Sequence, residues 1–299
     1  MATEEHRLYM ELIAFIRNAT EAISNGTRPA IAKTFQLVDD IITDFNRSND
    51  LMEYAINYYD PRDIYLSHSA NVAIISLKIA SGMQLPMADV QNIVASAILH
   101  DIGFGKLVVS LLTYEDFSLN ARLTNKEISQ VKLHPKFGFD GLKDKGDRAN
   151  LLAEIILQHH ERADGTGYPN QIPGHEQHIP AQILSVADTY ETLIHPRPYR
   201  DALAPPEGIN AIVNQGGTAF SKNIVKTLIR ALSIYPVGQI VRLNNGMVGK
   251  VVKTYEQNPV RPDLAIFFDA TGKRLESSIR LKLSDEPLLT VEECIPGHQ

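Results

Sequence analysis

The chain has 299 residues, of which 44% are hydrophobic and 21% are charged, so it can form one large domain or two unequal ones. Its formal net charge of -6 argues against a broad surface for duplex nucleic acid, but not against a local basic pocket for a small anion. The single cysteine, Cys294, excludes an internal disulfide and a cysteine-based zinc site. Without an apolar run of roughly 18 residues or a basic-then-apolar leader, we expect a cytoplasmic protein with no membrane association.

Residues 1–50 are predicted to form an N-terminal helical segment. Apolar residues recur at helical spacing on both sides of Asn25-Gly26, which we interpret as the break between two helices. These helices could pack on the rest of the chain, form a homodimer or dock a partner, and packing is the simplest of the three.

Residues 51–235 keep the helical pattern and are predicted to form the main domain. A Thr124-x-x-Glu127 capping box begins one helix, and Pro180 suits the first turn of another. Loops are expected at 101–123 and 162–179. The predicted helices span 63–82, 87–100, 125–133, 135–144, 149–161, 180–195 and 221–234.

Residues 236–299 change character and are predicted to be a small β-rich region. Two alternating apolar segments surround Asn245-Gly246 within 238–252, which is the signature of a hairpin. Further strands are expected at 263–269 and 278–284. The predicted fold class is therefore mainly α, a helical bundle with a small C-terminal β appendage.

Histidines cluster at the ends of segments in the helical domain. Asp101 follows one of them directly, and Asp188 is a polar residue inside an otherwise apolar helix pattern. Imidazole nitrogen with carboxylate oxygen suits iron, manganese or zinc, and a carboxylate such as Asp101 can bridge two cations about 3.5–4 Å apart. Spacing alone does not show that these side chains converge. The histidines are His68, His100, His134, His159 and His160.

The residues around these histidines resemble a known family. The string His100-Asp101-Ile102-Gly103, the string HHERADGTGYP at 159–169, and Val186-Ala187-Asp188 leading to RPYR at 197–200 are similar to the HD-GYP family of cyclic di-GMP phosphodiesterases, a branch of the HD phosphohydrolases. The resemblance covers about residues 62–235. The segment VGQIVRLNNGMVGKVV and a later Arg261-Pro262 resemble the β tail that often follows this domain.

The resemblance implies a helical HD fold with a dinuclear metal site, iron being the most usual metal and manganese the next. Cyclic di-GMP would be hydrolysed to linear pGpG or GMP. One metal would be held by His68, His100, Asp101 and Asp188, and the second by Asp101, His134, His159 and His160. Nucleotide contacts are expected from Tyr168, Arg197 and Arg200. Glu161 and Asp164 are expected beside the ligands, with Glu161 orienting a histidine. The GYP loop of the family also contacts partner proteins.

Two departures from the family pattern leave alternatives open. Many relatives carry a phosphate-binding lysine directly after the HDIG string, where this chain has Phe104. Lys106 either replaces that lysine, as a catalytic and substrate-binding group, or is a solvated loop residue. Members with three metals carry a glutamate where this chain has Ile64, so we predict two metals. A weakly active cyclic dinucleotide sensor and a phosphodiesterase for a hybrid cyclic dinucleotide are the alternative functions. Three other histidines are expected at the surface, namely His175, His178 and His195.

Overall fold

The structure is a computed structural model that describes residues 4–48, 50–61, 63–107, 124–197, 200–255 and 257–295. Most of the described chain is helical. A 3₁₀ turn, Ile102–Lys106, follows the fifth helix. The α-helices are α1 Glu4–Ser24, α2 Ile31–Phe45, α3 Asp50–Asn57, α4 Ile64–Gly82, α5 Met87–Leu99, α6 Asn125–Val131, α7 His134–Leu142, α8 Asp147–Gln158, α9 Ile179–Ile194, α10 Pro205–Val213 and α11 Lys222–Leu232.

The core of the helical body is built around α4 and α5, which are buried on nearly all sides. Such helices need apolar or small residues around their whole circumference, and α4 supplies them from Ile64 to Ala80. Leu12 of α1 and Leu37 of α2 belong to the same buried cluster as Ile74 of α4. The N-terminal helices therefore pack on the body, as the simplest of the three expectations had it.

Local signals account for where several helices begin. The capping box of α6 is present, since Thr124 Oγ1 accepts from the Glu127 N–H at 3.3 Å while Glu127 Oε2 accepts from the Thr124 N–H at 2.6 Å. Helices α3 and α10 were not predicted. Pro205 and Pro206 occupy the first turn of α10, where proline is tolerated because an N–H at that position has no partner within the helix.

The C-terminal region forms a five-stranded antiparallel sheet in the order β4-β3-β2-β1-β5. The predicted hairpin is β1 and β2, joined by a turn in which Gly246 takes φ +89°, a backbone conformation that favours glycine. The sheet has its own small core, including Val241, Val251 and Leu264. β5 was not predicted. The strands are β1 Ile240–Leu243, β2 Val248–Lys253, β3 Asp263–Phe268, β4 Arg274–Lys282 and β5 Val291–Ile295.

The predicted fold class is confirmed, with a mainly helical chain and a small C-terminal β appendage. The domain boundaries at residues 50 and 235 stay predictions. The part of the expected 101–123 loop that follows Leu107 lies outside the described residues. Among the described helices, none combines the length and apolar character that a membrane crossing requires.

Candidate metal centre

Three histidines project their rings from the ends of helices in the same way. Each ring Nδ1 forms a hydrogen bond with a carbonyl oxygen three residues earlier, in the last turn of α5, α6 or α8. Because a carbonyl can only accept, each Nδ1 carries a hydrogen and each Nε2 is the ring nitrogen that remains to bind a cation. The distances are 2.8 Å from His100 to Ala97, 2.7 Å from His134 to Val131 and 2.6 Å from His159 to Ile156.

Asp101 lies between two pairs of histidines. Its Oδ2 is 3.4 Å from His100 Nε2 and 3.7 Å from His68 Nε2. Its Oδ1 is 3.2 Å from His134 Nε2 and 4.0 Å from His159 Nε2. Burial opposes ionisation of this carboxyl, but the surrounding histidines, above all His100, outweigh it and hold the pKa of Asp101 well below its usual value. The two oxygens of an ionised carboxylate thus face two separate groups of nitrogens.

Asp188 and His160 complete the cluster. Asp188 Oδ1 is 3.1 Å from His68 Nε2, and its Oδ2 is 3.6 Å from His160 Nδ1. The cluster contains two groups of three ligand atoms that lie within 4.8 Å of one another, one from His68, His100 and Asp101 and one from His134, His159 and His160. All seven residues predicted as ligands are brought together, and their role as ligands stays a prediction.

The donor atoms of this cluster suit a divalent cation. The Nε2 atoms of His134 and His159 face each other at 3.2 Å, and two lone pairs repel unless a positive charge lies between them. His100 Nε2 is buried without a hydrogen-bond partner among the described residues. Burial lowers the pKa of His159 well below its usual value and that of His160 to about 3, so both rings stay neutral. Neutral imidazoles and ionised carboxylates are the ligands that borderline transition metals prefer.

Glu191, which was not predicted, holds the ring of His68. Its Oε2 contacts His68 Nδ1 and accepts from the Arg197 guanidinium at 2.7 Å, while its Oε1 accepts from Asn71 Nδ2 at 3.1 Å. Burial opposes its charge, but His68, His195 and Arg197 outweigh burial and hold the pKa of Glu191 well below its usual value. The signal available in the sequence is its position three residues after Asp188, on the same helix face.

His195 corrects one expectation. It was predicted at the surface, but it is only 1% exposed, and its Nδ1 lies 3.1 Å from Glu191 Oε1. A histidine four residues after a glutamate on one helix meets it across a single turn. The surface prediction for His195 is therefore wrong.

The basic residues predicted to touch substrate contact the protein itself. Arg197 pairs with Glu191 behind His68. Arg200 donates to the carbonyls of Thr192 and Leu193 at the end of α9, and Lys106 donates to Ser24 O at the end of α1, at 3.3 Å. Lysine and arginine commonly satisfy the last carbonyls of a helix. Contacts of Lys106, Arg197 and Arg200 with substrate stay predictions.

Gly103 and Phe104 fix the position of His134. A Cβ on Gly103 would lie 1.9 Å from His134 O and 2.7 Å from Gly138 N, so only glycine lets the 3₁₀ turn pass the start of α7. The Phe104 ring, at the position of the lysine of many relatives, stacks on the His134 imidazole at 4.4 Å between centroids. Phe104 also contacts Tyr65, at 5.2 Å.

The loop after His160 places Tyr168 beside the cluster. The Tyr168 ring stacks on the His160 ring at 4.7 Å, and Lys132 Nζ lies 5.2 Å from the centre of the same tyrosine ring. Gly167 permits this turn, because a Cβ there would lie 2.4 Å from Arg162 N. Tyr168 is thus held against a predicted ligand, and its role in nucleotide binding stays a prediction.

Glu161 and Asp164 shape this loop rather than a histidine ring. The buried Glu161 carboxylate accepts from the backbone N–H groups of Asn170 at 2.6 Å, Gln171 at 3.1 Å and Ile172 at 3.2 Å. Asp164 Oδ1 accepts from the N–H and hydroxyl of Thr166, which makes an Asx turn. The contacts thus correct the expectation that Glu161 orients a histidine.

A helical domain with two adjoining groups of histidine and aspartate side chains is suited to divalent cations, and comparison with known families identifies the family. Residues 50–224 match the HD domain model, and residues 240–298 match the model of a KOW domain associated with HD domain. The chain belongs to the HD domain family, as the sequence motifs predicted.

Several known proteins are similar to this chain. The cyclic di-GMP phosphodiesterase PA4108 of Pseudomonas aeruginosa is 30% identical over 81% of this chain and 57% of its own length. The 3'3'-cGAMP-specific phosphodiesterase 3 of Vibrio cholerae is 30% identical over 56% of this chain and 35% of its own length. The chain therefore spans only part of these relatives. The structure of Bd1817, an HDG"Y"P protein from Bdellovibrio bacteriovorus, has the same fold, with 17% identity and a TM-score of 0.57 over 75% of this chain and 71% of Bd1817.

Proposed function

We propose that this chain is a metal-dependent phosphodiesterase that hydrolyses cyclic di-GMP to linear pGpG at a two-metal centre, with pGpG or GMP as the end product. The observation that carries the proposal is the position of Asp101, whose two oxygens face two separate groups of histidine nitrogens. The name of the P. aeruginosa relative supports cyclic di-GMP as the substrate.

The proposed ligand sets follow the two groups of donor atoms. His68, His100, Asp101 and Asp188 would hold one metal, and Asp101, His134, His159 and His160 the other. Iron is the first choice of metal and manganese the second, because both accept mixed nitrogen and oxygen ligands. Two such cations lower the pKa of a bound water and neutralise charge on the phosphoryl oxygens.

The protein's own groups orient the centre and the substrate. Backbone carbonyls lock the rings of His100, His134 and His159 with Nε2 facing inward. Burial, with smaller effects of Asp188 and Asp101, raises the pKa of Tyr168, so its hydroxyl keeps its hydrogen and can donate to a phosphate or a base. In the overall reaction water adds to phosphorus, the bond to the 3′ oxygen breaks, and that oxygen takes a proton.

Three further basic residues are held by partners in the protein itself. Lys106 would contact phosphate and assist the leaving oxygen only if its amine left the end of α1. Arg197 and Arg200 would contact nucleotide only by exchanging protein partners, so we favour a supporting role for both. We also propose that the chain works in the cytoplasm. The loop around Tyr168 can bind a partner protein. The N-terminal helices, although packed on the helical body, can still form a homodimer.

Two alternative functions keep specific support. The V. cholerae relative, whose name specifies 3'3'-cGAMP, favours a hybrid cyclic dinucleotide as the alternative substrate. The stacking of Phe104 on His134, at the position where many relatives have lysine, favours a cyclic dinucleotide sensor with weak turnover.

The deciding experiment combines metal analysis with product analysis. Anaerobically purified protein is assayed for iron and manganese, then supplied with cyclic di-GMP or 3′3′-cGAMP. About two metals per chain and formation of pGpG support the proposal, and Asp101→Ala should abolish product. Asp140→Ala, in an exposed pair with Lys143, is the control and should leave turnover unchanged. Bound metal and nucleotide without product would support the sensor.

A further inference from the structure

We propose that Tyr9 of α1 is a positioning residue for His68, acting through Asn71 and Glu191. The inference rests on the proposed role of His68 as a metal ligand. It gives the N-terminal helix, which lies outside the residues matched by the HD domain model, an indirect part in the metal centre.

A continuous set of polar contacts joins α1 to the cluster. The Tyr9 hydroxyl donates to Asn71 Oδ1 at 2.6 Å, and Asn71 Nδ2 donates to Glu191 Oε1 at 3.1 Å. The other oxygen of Glu191 contacts His68 Nδ1. All four side chains are buried, with Tyr9 and Asn71 fully inaccessible. Water therefore has little access to replace any of these partners.

The direction of each hydrogen bond is fixed by its neighbours. Asn71 Nδ2 also lies 3.4 Å from the carbonyl oxygen of Tyr58, which can only accept. The amide nitrogen must therefore face Tyr58 and Glu191, and the amide oxygen must face Tyr9. Burial raises the pKa of Tyr9 well above its usual value, and Glu191 adds to the effect, so the hydroxyl retains the hydrogen that it donates.

The position of the Glu191 carboxylate sets the orientation of the His68 ring. Oε1 is shared by Asn71 and His195, and Oε2 is shared by His68 and Arg197. If Asn71 no longer donates, Oε1 is held from one side alone, and the carboxylate can rotate away from His68. Mutating the residue that hydrogen-bonds to a metal-binding histidine, here Glu191, typically changes metal affinity by about 10–100-fold, and Tyr9 acts two hydrogen bonds further out.

The ring and the hydroxyl of Tyr9 have separate roles. The ring stacks on Tyr54 at 5.3 Å and meets the edge of Tyr58 at 5.0 Å, contacts that a phenylalanine would keep. The hydroxyl makes the hydrogen bond to Asn71. Tyr9→Phe therefore tests the polar connection, and Tyr54→Phe removes a hydroxyl from the same aromatic cluster without touching that connection.

The test measures Mn²⁺ affinity of the full chain by competition with a chelator, without any assay of turnover. We expect Tyr9→Phe to weaken Mn²⁺ binding about 3- to 10-fold and Glu191→Gln to weaken it more, as outer-partner losses do. Tyr54→Phe should bind as the unchanged protein does. In Asn71→Ala the hydroxyl has lost its acceptor, so adding Tyr9→Phe should have little further effect on affinity.

Unfolding of the metal-free variants separates positioning from simple packing. If Tyr9→Phe lowers only the unfolding midpoint and leaves Mn²⁺ affinity unchanged, Tyr9 has a structural role alone and the inference is overturned. Equal affinities for the Tyr9 and Tyr54 variants overturn it as well. If the unchanged protein shows no Mn²⁺ binding that His100→Ala removes, the proposed metal centre fails, and this inference fails with it.

Discussion

Replacing Gly103 by alanine should disrupt both the fold and the metal centre. The new Cβ would lie 1.9 Å from His134 O and 2.7 Å from Gly138 N, both backbone atoms that no rotamer change can move. Restoring an ordinary carbon–oxygen contact of about 3.3 Å requires the two segments to separate by about 1.4 Å. Overpacking typically costs about 1–3 kcal/mol. With backbone on both sides, we expect a loss of about 3 kcal/mol or more.

The same displacement would move His134 beyond the tolerance of about 0.5 Å that a preorganised site allows. Denaturant unfolding of the metal-free protein measures the loss of stability, and chelator competition measures the loss of Mn²⁺ affinity. Gly138→Ala is the matched control, since its Cβ would meet the Ile156 Cγ2 methyl group at 3.1 Å and backbone atoms only at an ordinary 3.8 Å. Gly103→Ala with stability within about 1 kcal/mol of the unchanged protein and equal Mn²⁺ affinity would refute the steric reasoning.

Three further predictions concern stability. Glu161→Gln should lower the free energy of unfolding by about 2–3 kcal/mol, because a buried carboxylate loses its charge and one acceptor atom, whereas exposed Glu176→Gln should change it by less than about 0.5 kcal/mol in the same denaturant titration. Removing metal with a chelator should lower Tm, and Mn²⁺ at about 100 times its Kd should restore about 2.7 kcal/mol by calorimetry. Although burial opposes the charged ring, Glu191 and Asp188 raise the pKa of His68 to about 10 in the metal-free protein. The stabilisation that comes from the charged His68 ring is fully present below about pH 6.5 and is lost as the pH rises towards 10. His68→Gln should therefore reduce the fall in the free energy of unfolding between these pH values, measured from unfolding curves.

The helical body and the hairpin could be predicted because their signals are local. A capping box, an Asn-Gly turn and long apolar periodicity need no knowledge of the rest of the fold. β5, with Glu292 and Glu293 in five residues, shows no such pattern, and it exists because it pairs with β1. A strand that forms because of its neighbour cannot be predicted from its local sequence pattern.

The predicted ligands lie close together, but the residues that support them were not predicted from the sequence. The candidate ligands lie within family motifs, so a resemblance to the family is enough to identify them. Tyr9, Asn71 and Glu191 support His68 from three helices, and their contacts depend on packing that no spacing rule encodes. Glu161 shows the reverse problem, since a carboxylate two residues after a histidine suggested a role at the ring, while its hydrogen bonds go to the loop.

The carbonyl-locked histidine rings bear on how quickly a metal can enter. His100, His134 and His159 each bond to the helix turn just before them, so their orientation is set by local chain geometry. The loss of side-chain rotational entropy then occurs during folding and does not reduce the free energy of metal association. A preorganised site of this kind should load by simple diffusion of the cation, with near-ultraviolet circular dichroism almost unchanged between the empty and the filled protein.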